Sequence, residues 1–167
     1  MTHSSDDDAL AALAGRVGEL LGERRLRLVA AESCTGGWVA QAVTSVPGSS
    51  AWFERGFVTY SNEAKQEMLG VGAAVLKRYG AVSEETAREM AEGALRNSHG
   101  GVSVAITGVA GPGGGTAAKP VGMVCIAWSG QGYATISRTM HFAGGRRDVR
   151  YQAVVTALNG VMDVIAG

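Results

Sequence analysis

Apolar positions recur along this chain at two different spacings, and the changes between them outline its elements. Leu10, Leu13, Val17, Leu20 and Leu21 fall at helical spacing within residues 8–22, behind Asp6–Asp8 at the end where a helix dipole favours negative charge. Leu26 to Ala31 is short, apolar and nearly uninterrupted, the composition of a strand buried on both faces. Glu32-Ser33-Cys34-Thr35-Gly36-Gly37 breaks that run, and a helical pattern resumes from Trp38 to Val46 until Pro47-Gly48 stops it. Trp52 to Tyr60 has strand composition, and Ser61 stands as the N-cap of a helix to about Leu69. Residues 73–79 predict a short helix ended by Gly80, and Ser83-Glu84-Glu85 opens a longer one to about Asn97. Val102 to Thr107 is a second buried-strand candidate, followed by a Gly-rich loop over 108–120 and a further strand from Val121 to Trp128. Gly130-Gln131-Gly132 reads as a hairpin turn into Tyr133 to Phe142, and Arg146 to Ile165 is a long amphipathic helix. Early alternation of helix and strand, with a late hairpin, predicts an α/β three-layer sandwich: a mixed central sheet flanked by helices.

Length and composition narrow this picture. At 167 residues the chain fits one domain of roughly 100–200 residues, with residues 1–8 expected as a polar N-terminal tail and 9–167 as a single domain. No internal repeat or Pro/Ser-rich linker interrupts it. An apolar fraction of 46% with 18% charged residues is that of a globular chain. Fifteen basic and fifteen acidic residues cancel, leaving no electrostatic footprint for nucleic acid or an anionic membrane surface. The acidic start is unlike a signal peptide, and no apolar run approaches the roughly 20 residues of a membrane helix. Cys34 and Cys125 lie far apart without CxxC spacing, so no disulfide framework is expected and a reducing cytoplasm is the expected location. His3, His99 and His141 are scattered, which argues against a zinc site or a Ser-His-Asp triad.

Candidate chemistry gathers at four places. The Glu32–Gly37 turn joins a buried strand to a helix, where free backbone N–H groups attract phosphate or a developing oxyanion; Ser33 or Cys34 would be the nucleophile, or Ser and Thr would only cap the helix. Lys65 falls at the end of the first turn behind Ser61, near the positive end of the helix dipole, which favours a neutral amine able to act as a general base. Only three of the fifteen basic residues are lysines, Lys65, Lys77 and Lys119, so a lysine retained here invites a chemical explanation beside that of a solvated side chain. Tyr60 either polarises this pair or merely ends a strand. Thr107-Gly108-Val109-Ala110-Gly111-Pro112-Gly113-Gly114-Gly115 follows a buried strand and offers backbone N–H groups to a phosphate or ribose, but its spacing is not that of a dinucleotide fingerprint, and a flexible connection is the alternative. Gly144-Gly145-Arg146-Arg147 opens the last helix and would place Arg146 or Arg147 on a phosphate. By elimination a Ser–Lys hydrolase or a passive nucleotide-binding module remains.

Taken together these segments resemble the CinA C-terminal domain family. The resemblance is carried by Ala31–Gly37, by Pro47 to Lys65 with its Gly56-Phe57-Val58-Thr59-Tyr60-Ser61-Asn62-Glu63-Ala64-Lys65 run, by Gly80–Ser83, by Ile106–Gly115 and by Lys119-Pro120-Val121-Gly122. It spans roughly residues 10–165. It implies hydrolysis of the carboxamide of nicotinamide mononucleotide (NMN) to nicotinate mononucleotide and ammonia, within pyridine-nucleotide recycling, by a homodimer that needs no cofactor or metal. Carried over by position, Ser33 is the nucleophile, Lys65 the base and Tyr60 their neighbour. Cys34, Thr35, Gly36 and Gly37 belong to the oxyanion turn, while Thr107, Gly108, Gly111, Gly113 and Arg146 are the further substrate contacts. The chain departs from the family pattern at Gly145, where an Asp often precedes the Arg, and at Met123, where Thr is more common. Family members are often fused to a larger N-terminal domain, for which this chain is expected to have no room. The competing expectations are a non-catalytic nucleotide-binding or regulatory module, an amidase for another carboxamide, and an amidase whose nucleophile is Cys34.

Overall fold

The computed structural model describes residues 2–167. Its elements are α1 (Thr2–Arg24), β1 (Leu28–Glu32), α2 (Trp38–Thr44), a 3₁₀ turn at Ser49–Ala51, β2 (Phe53–Val58), α3 (Asn62–Leu69), α4 (Ala73–Tyr79), α5 (Glu84–Arg96), β3 (Val102–Gly108), β4 (Met123–Gly130), β5 (Tyr133–His141) and α6 (Arg146–Ala166). The five strands form one sheet in the order β2-β1-β3-β4-β5. β1 runs parallel to β2 and β3, whereas β4 is antiparallel to both β3 and β5, so the sheet is mixed as predicted. α1, α2 and α6 cover one face and α3, α4 and α5 the other, the three layers of an α/β sandwich.

Strand side chains alternate between faces with a period of two, and the faces differ in size. Leu28, Val102, Val104, Ile106, Val124, Ile126 and Trp128 pack toward α1 and α6, while Val29, Ala31, Ala105, Cys125 and Ala127 meet α5. Small residues on the second face let α5 lie close. On the first face two tryptophans fill notches in the helices. A Cβ on Gly18 of α1 would fall 2.3 Å from the Trp52 ring, and one on Gly160 of α6 would fall 2.2 Å from that of Trp128. The Trp128 indole N–H also donates to the Ala157 carbonyl of α6 at 2.9 Å, so no polar atom of this buried ring is left without a partner.

Two local readings change. Segment 2–8, expected as a polar tail, is the first part of α1, and Asp6 of that segment pairs with Arg147 of α6 at 2.8 Å; Met1 lies outside the described residues. β4 starts at Met123 rather than Val121, because Met123 N–H bonds back to the Pro120 carbonyl and Gly122 takes the left-handed conformation (φ 93°) that this turn requires. Among the described residues no helix is long and apolar enough to cross a membrane.

The strand order has a functional consequence. From β1 the chain crosses to β2 on one side, then returns past β1 to β3 on the other, so a crevice opens beyond the C-terminal ends of β1 and β3. Glu32 pairs with Ile106 there, and the Ser33 N–H donates to the Ile106 carbonyl at 3.0 Å. Two sequence-predicted loops thus open into one place.

Candidate active site

The turn after β1 is built around a buried carboxylate. Glu32 is 1% exposed, and its oxygens accept from the Thr35 hydroxyl at 2.7 Å, the Val39 N–H at 2.8 Å and the Ala40 N–H at 3.1 Å. The chain reaches α2 through Gly36 and Gly37, both left-handed at φ 59° and 104°, a conformation that costs residues with a Cβ. This corrects the expectation of a helix terminus open to an external anion. The first-turn amides of α2 need partners once buried, and Glu32 already supplies them. Among the described residues the N–H groups of Thr35 and Gly37 donate to nothing and that of Cys34 meets only its own thiol, so these three are the turn's available donors.

Lys65 enters from the opposite wall. Ser61 caps α3 by accepting from the Ala64 N–H at 3.0 Å, which sets Lys65 at the end of the first turn with its side chain running inward, 1% exposed. Its Nζ donates to Ser33 Oγ at 2.9 Å and to the Thr59 carbonyl at 2.8 Å. Among the described residues no carboxylate pairs with it. Burial holds the Lys65 ammonium below its ordinary pKa, with Cys34 acting weakly in the other direction. Desolvation, rather than the helix dipole invoked from sequence, is thus the main cause. A neutral amine suits these partners: one N–H goes to the Thr59 carbonyl, and the lone pair is left for the Ser33 hydroxyl proton. Cys34 differs sharply from Ser33, since burial pushes its thiol up to about 11 despite the nearby Arg150 guanidinium. A thiol protonated to that degree is a poor nucleophile, which disfavours the Cys34 mechanism.

Ser33, Cys34, Tyr60, Lys65, Thr107, Gly108 and Arg146 all line one cavity of about 240 Å³. Tyr60 stands at its rim, 65% exposed, its hydroxyl accepting from Arg146 Nη2 at 3.2 Å. Arg146 Nη1 donates to the Gly111 carbonyl at 2.7 Å, so one guanidinium ties the Gly-rich loop to Tyr60 across the mouth. Thr107 is buried and donates its hydroxyl to the Ala81 carbonyl at 2.8 Å. Of the glycines after it, Gly108 lines the cavity with Thr107, while Gly111 and Gly113 are not among the lining residues. Gly108 is required by close packing, since a Cβ there would fall 2.7 Å from the Val124 side chain. Gly111 is tied to the site by the Arg146 guanidinium, and a Cβ on Gly113 would meet open space. Gly36 lines an adjoining cavity of about 440 Å³ with Cys34, Tyr60, Arg146 and Arg150; Thr35 and Gly37 line the wider groove beyond it.

Sequence reasoning overlooked Arg150. Its Nε donates to the Cys34 carbonyl and its Nη2 to the Thr35 carbonyl, both at 3.1 Å, while its guanidinium lies 5.4 Å from the centre of the Trp38 ring. A signal was present, because Arg146 and Arg150 are four apart at the start of α6 and so share a helix face. Neither pairs with a carboxylate among the described residues, which leaves the rim of the site positive.

Comparison with known proteins places this architecture. The model of the CinA C-terminal domain matches residues 10–165. The chain is 48% identical over 157 residues to the nicotinamide-nucleotide amidohydrolase PncC of Pseudomonas putida, covering 94% of this chain and 98% of that one. It is 50% identical over 152 residues to the PncC of Escherichia coli, covering 91% and 92%. It spans only 40% of the length of a relative from Symbiobacterium thermophilum that it matches at 49% identity over 99% of its own length. Among solved structures, the competence/damage inducible protein CihA of Agrobacterium tumefaciens superposes with a TM-score of 0.91 at 45% identity, covering 93% of this chain and 94% of that one. With its strand order, its Ser33–Lys65 contact and this match over nearly its whole length, the chain belongs to the CinA C-terminal domain family.

Proposed function

We propose that this protein hydrolyses the carboxamide of NMN to nicotinate mononucleotide and ammonia through an acyl-enzyme on Ser33. The observation that carries the reading is the buried contact of 2.9 Å between Lys65 Nζ and Ser33 Oγ, made by a lysine without an acidic partner among the described residues. The PncC relatives, whose names specify this reaction class, support the choice of substrate. Neutral Lys65 takes the Ser33 proton as Oγ attacks the carboxamide carbon, and the developing oxyanion turns to the unpartnered N–H groups of the Ser33 turn. The Lys65 ammonium returns its proton to the departing nitrogen, and ammonia leaves. Water, deprotonated by Lys65, then attacks the ester carbonyl, releasing nicotinate mononucleotide and restoring Ser33. The positive rim of Arg146 and Arg150 suits a phosphorylated substrate. The remaining expectations belong to the same proposal: a single domain over residues 9–167, continuous with the start of α1, a cytoplasmic homodimer, and a role in pyridine-nucleotide recycling.

The test is ammonia release from NMN by the wild-type chain and by Ser33→Ala. Release by the first and its loss in the second is the expected result. Binding of NMN without release by the wild type would make the chain a nucleotide-binding module. Full activity in Ser33→Ala would remove Ser33 as the nucleophile.

A further inference from the structure

Thr35 is fully buried, and two of its three polar groups are fixed from opposite directions. Its hydroxyl donates to Glu32 from within the turn, and its carbonyl accepts from Arg150 across the interface with α6 and from the Trp38 N–H at 3.1 Å. The Cys34 carbonyl is held by the same guanidinium. In a trans peptide the N–H points opposite to the C=O of its own plane, so fixing the Cys34 carbonyl fixes the Thr35 N–H. That N–H has no partner among the described residues, which in a buried position calls for a ligand. A carbonyl that accepts from a cation also polarises its peptide group, making the N–H a stronger donor.

We propose that Arg150 and Glu32 are positioning residues that lock the Ser33 turn so that the unpartnered N–H of Thr35, with that of Cys34 beside it, receives the oxyanion. Arg150 aims and polarises the Thr35 peptide from outside, and Glu32 fastens the same residue to the start of α2 from inside. Neither side chain touches the reacting atoms. Arg150 reaches Thr35 across 115 residues of sequence and Glu32 reaches it across three, so the same residue is held by a distant element and by its own turn. The kinetic part of this proposal rests on the amide-hydrolysis reading above, and the structural part does not.

The experiment uses the full chain with Arg150→Ala, Arg150→Lys and Glu32→Gln. It measures kcat and KM for ammonia release from NMN, together with peptide-resolved amide hydrogen exchange over residues 33–40. In Arg150→Ala and Glu32→Gln, kcat is expected to fall about a hundredfold, the scale of one lost oxyanion donor, with KM changing far less. Exchange over 33–40 accelerates while β3 and β4 keep wild-type protection. Arg150→Lys, which retains the charge but not the fork, falls between, and added methylguanidinium restores part of the kcat of Arg150→Ala. Wild-type kcat and wild-type exchange over 33–40 in Arg150→Ala would overturn the proposal. Faster exchange throughout the sheet would overturn it equally, since the residues would then be supporting the fold at large. If the wild type releases no ammonia from NMN, the proposed function fails, and the exchange over 33–40 still decides whether Arg150 and Glu32 hold the turn.

Discussion

Two glycine-rich turns lie side by side beyond β1 and β3, and they are constructed by opposite means. After β1, Glu32, Ser33 and Thr35 are all buried, and their partners come from α2, α3, α6 and the neighbouring strand. After β3 the loop is exposed from Pro112 to Ala118; Thr116 and Lys119 bond to each other through their backbones and the Thr116 hydroxyl, and Lys119 Nζ donates to the Tyr79 carbonyl. Glycine marks where the backbone must turn in both. Convergence of buried polar side chains from distant elements in the first marks where chemistry can be held; the second is tied down by Arg146 and Lys119, neither of them buried.

The comparison breaks most severely at Lys65. Replacing it with methionine removes the proposed general base while keeping an apolar stem of similar length, and ammonia release is expected to fall about a thousandfold or more, with NMN binding retained, as measured by single-turnover assay and calorimetry. A second, smaller effect is in the pH dependence. Because burial lowers the Lys65 pKa, the rate should rise with pH along a single ionisation and level off below the ordinary lysine value of 10.5. Stability carries the matching sign. Between the lowered folded pKa and that of the unfolded chain, the unfolded state binds more protons, so this group's contribution to stability increases with pH, and Lys65→Met should flatten that increase in denaturation curves. The smallest effect separates the two turns directly. Gly37→Ala forces a Cβ into φ 104° and should cost about 1–2 kcal/mol. Gly113→Ala meets open space and should be neutral or stabilising by about 0.4–1 kcal/mol in thermal melts.

Legibility in the sequence followed locality. The α3 cap at Ser61, the glycine hairpin between β4 and β5 and the inward face of α6 all depend on neighbours within a few residues, and each emerges near its expected bounds. Ser33, Tyr60 and Lys65, which line one cavity, stood out in the sequence because strand–turn–helix and cap–helix patterns put chemical groups at predictable ends. The role of Glu32 was hidden although it stands in the same motif, since its partners lie across a turn whose path depends on two left-handed glycines. Arg150 was hidden by distance: its contacts with Cys34 and Thr35 span 116 and 115 residues. Asp6, read as part of a solvated tail, joins the fold through a pair spanning 141 residues.

The tryptophan seated against Gly160 gives α6 a mechanical meaning. A helix notched by a single glycine and tied to the ring in that notch cannot slide along its axis or roll about it without expelling the ring, so the contact indexes the whole rod. Ten residues nearer the N-terminus, roughly 15 Å away at 1.5 Å per residue, the same rod delivers the Arg150 guanidinium to the Ser33 turn. The core of the sandwich thus works as a gauge, transmitting the placement of one indole to the alignment of a peptide at the other end of the helix.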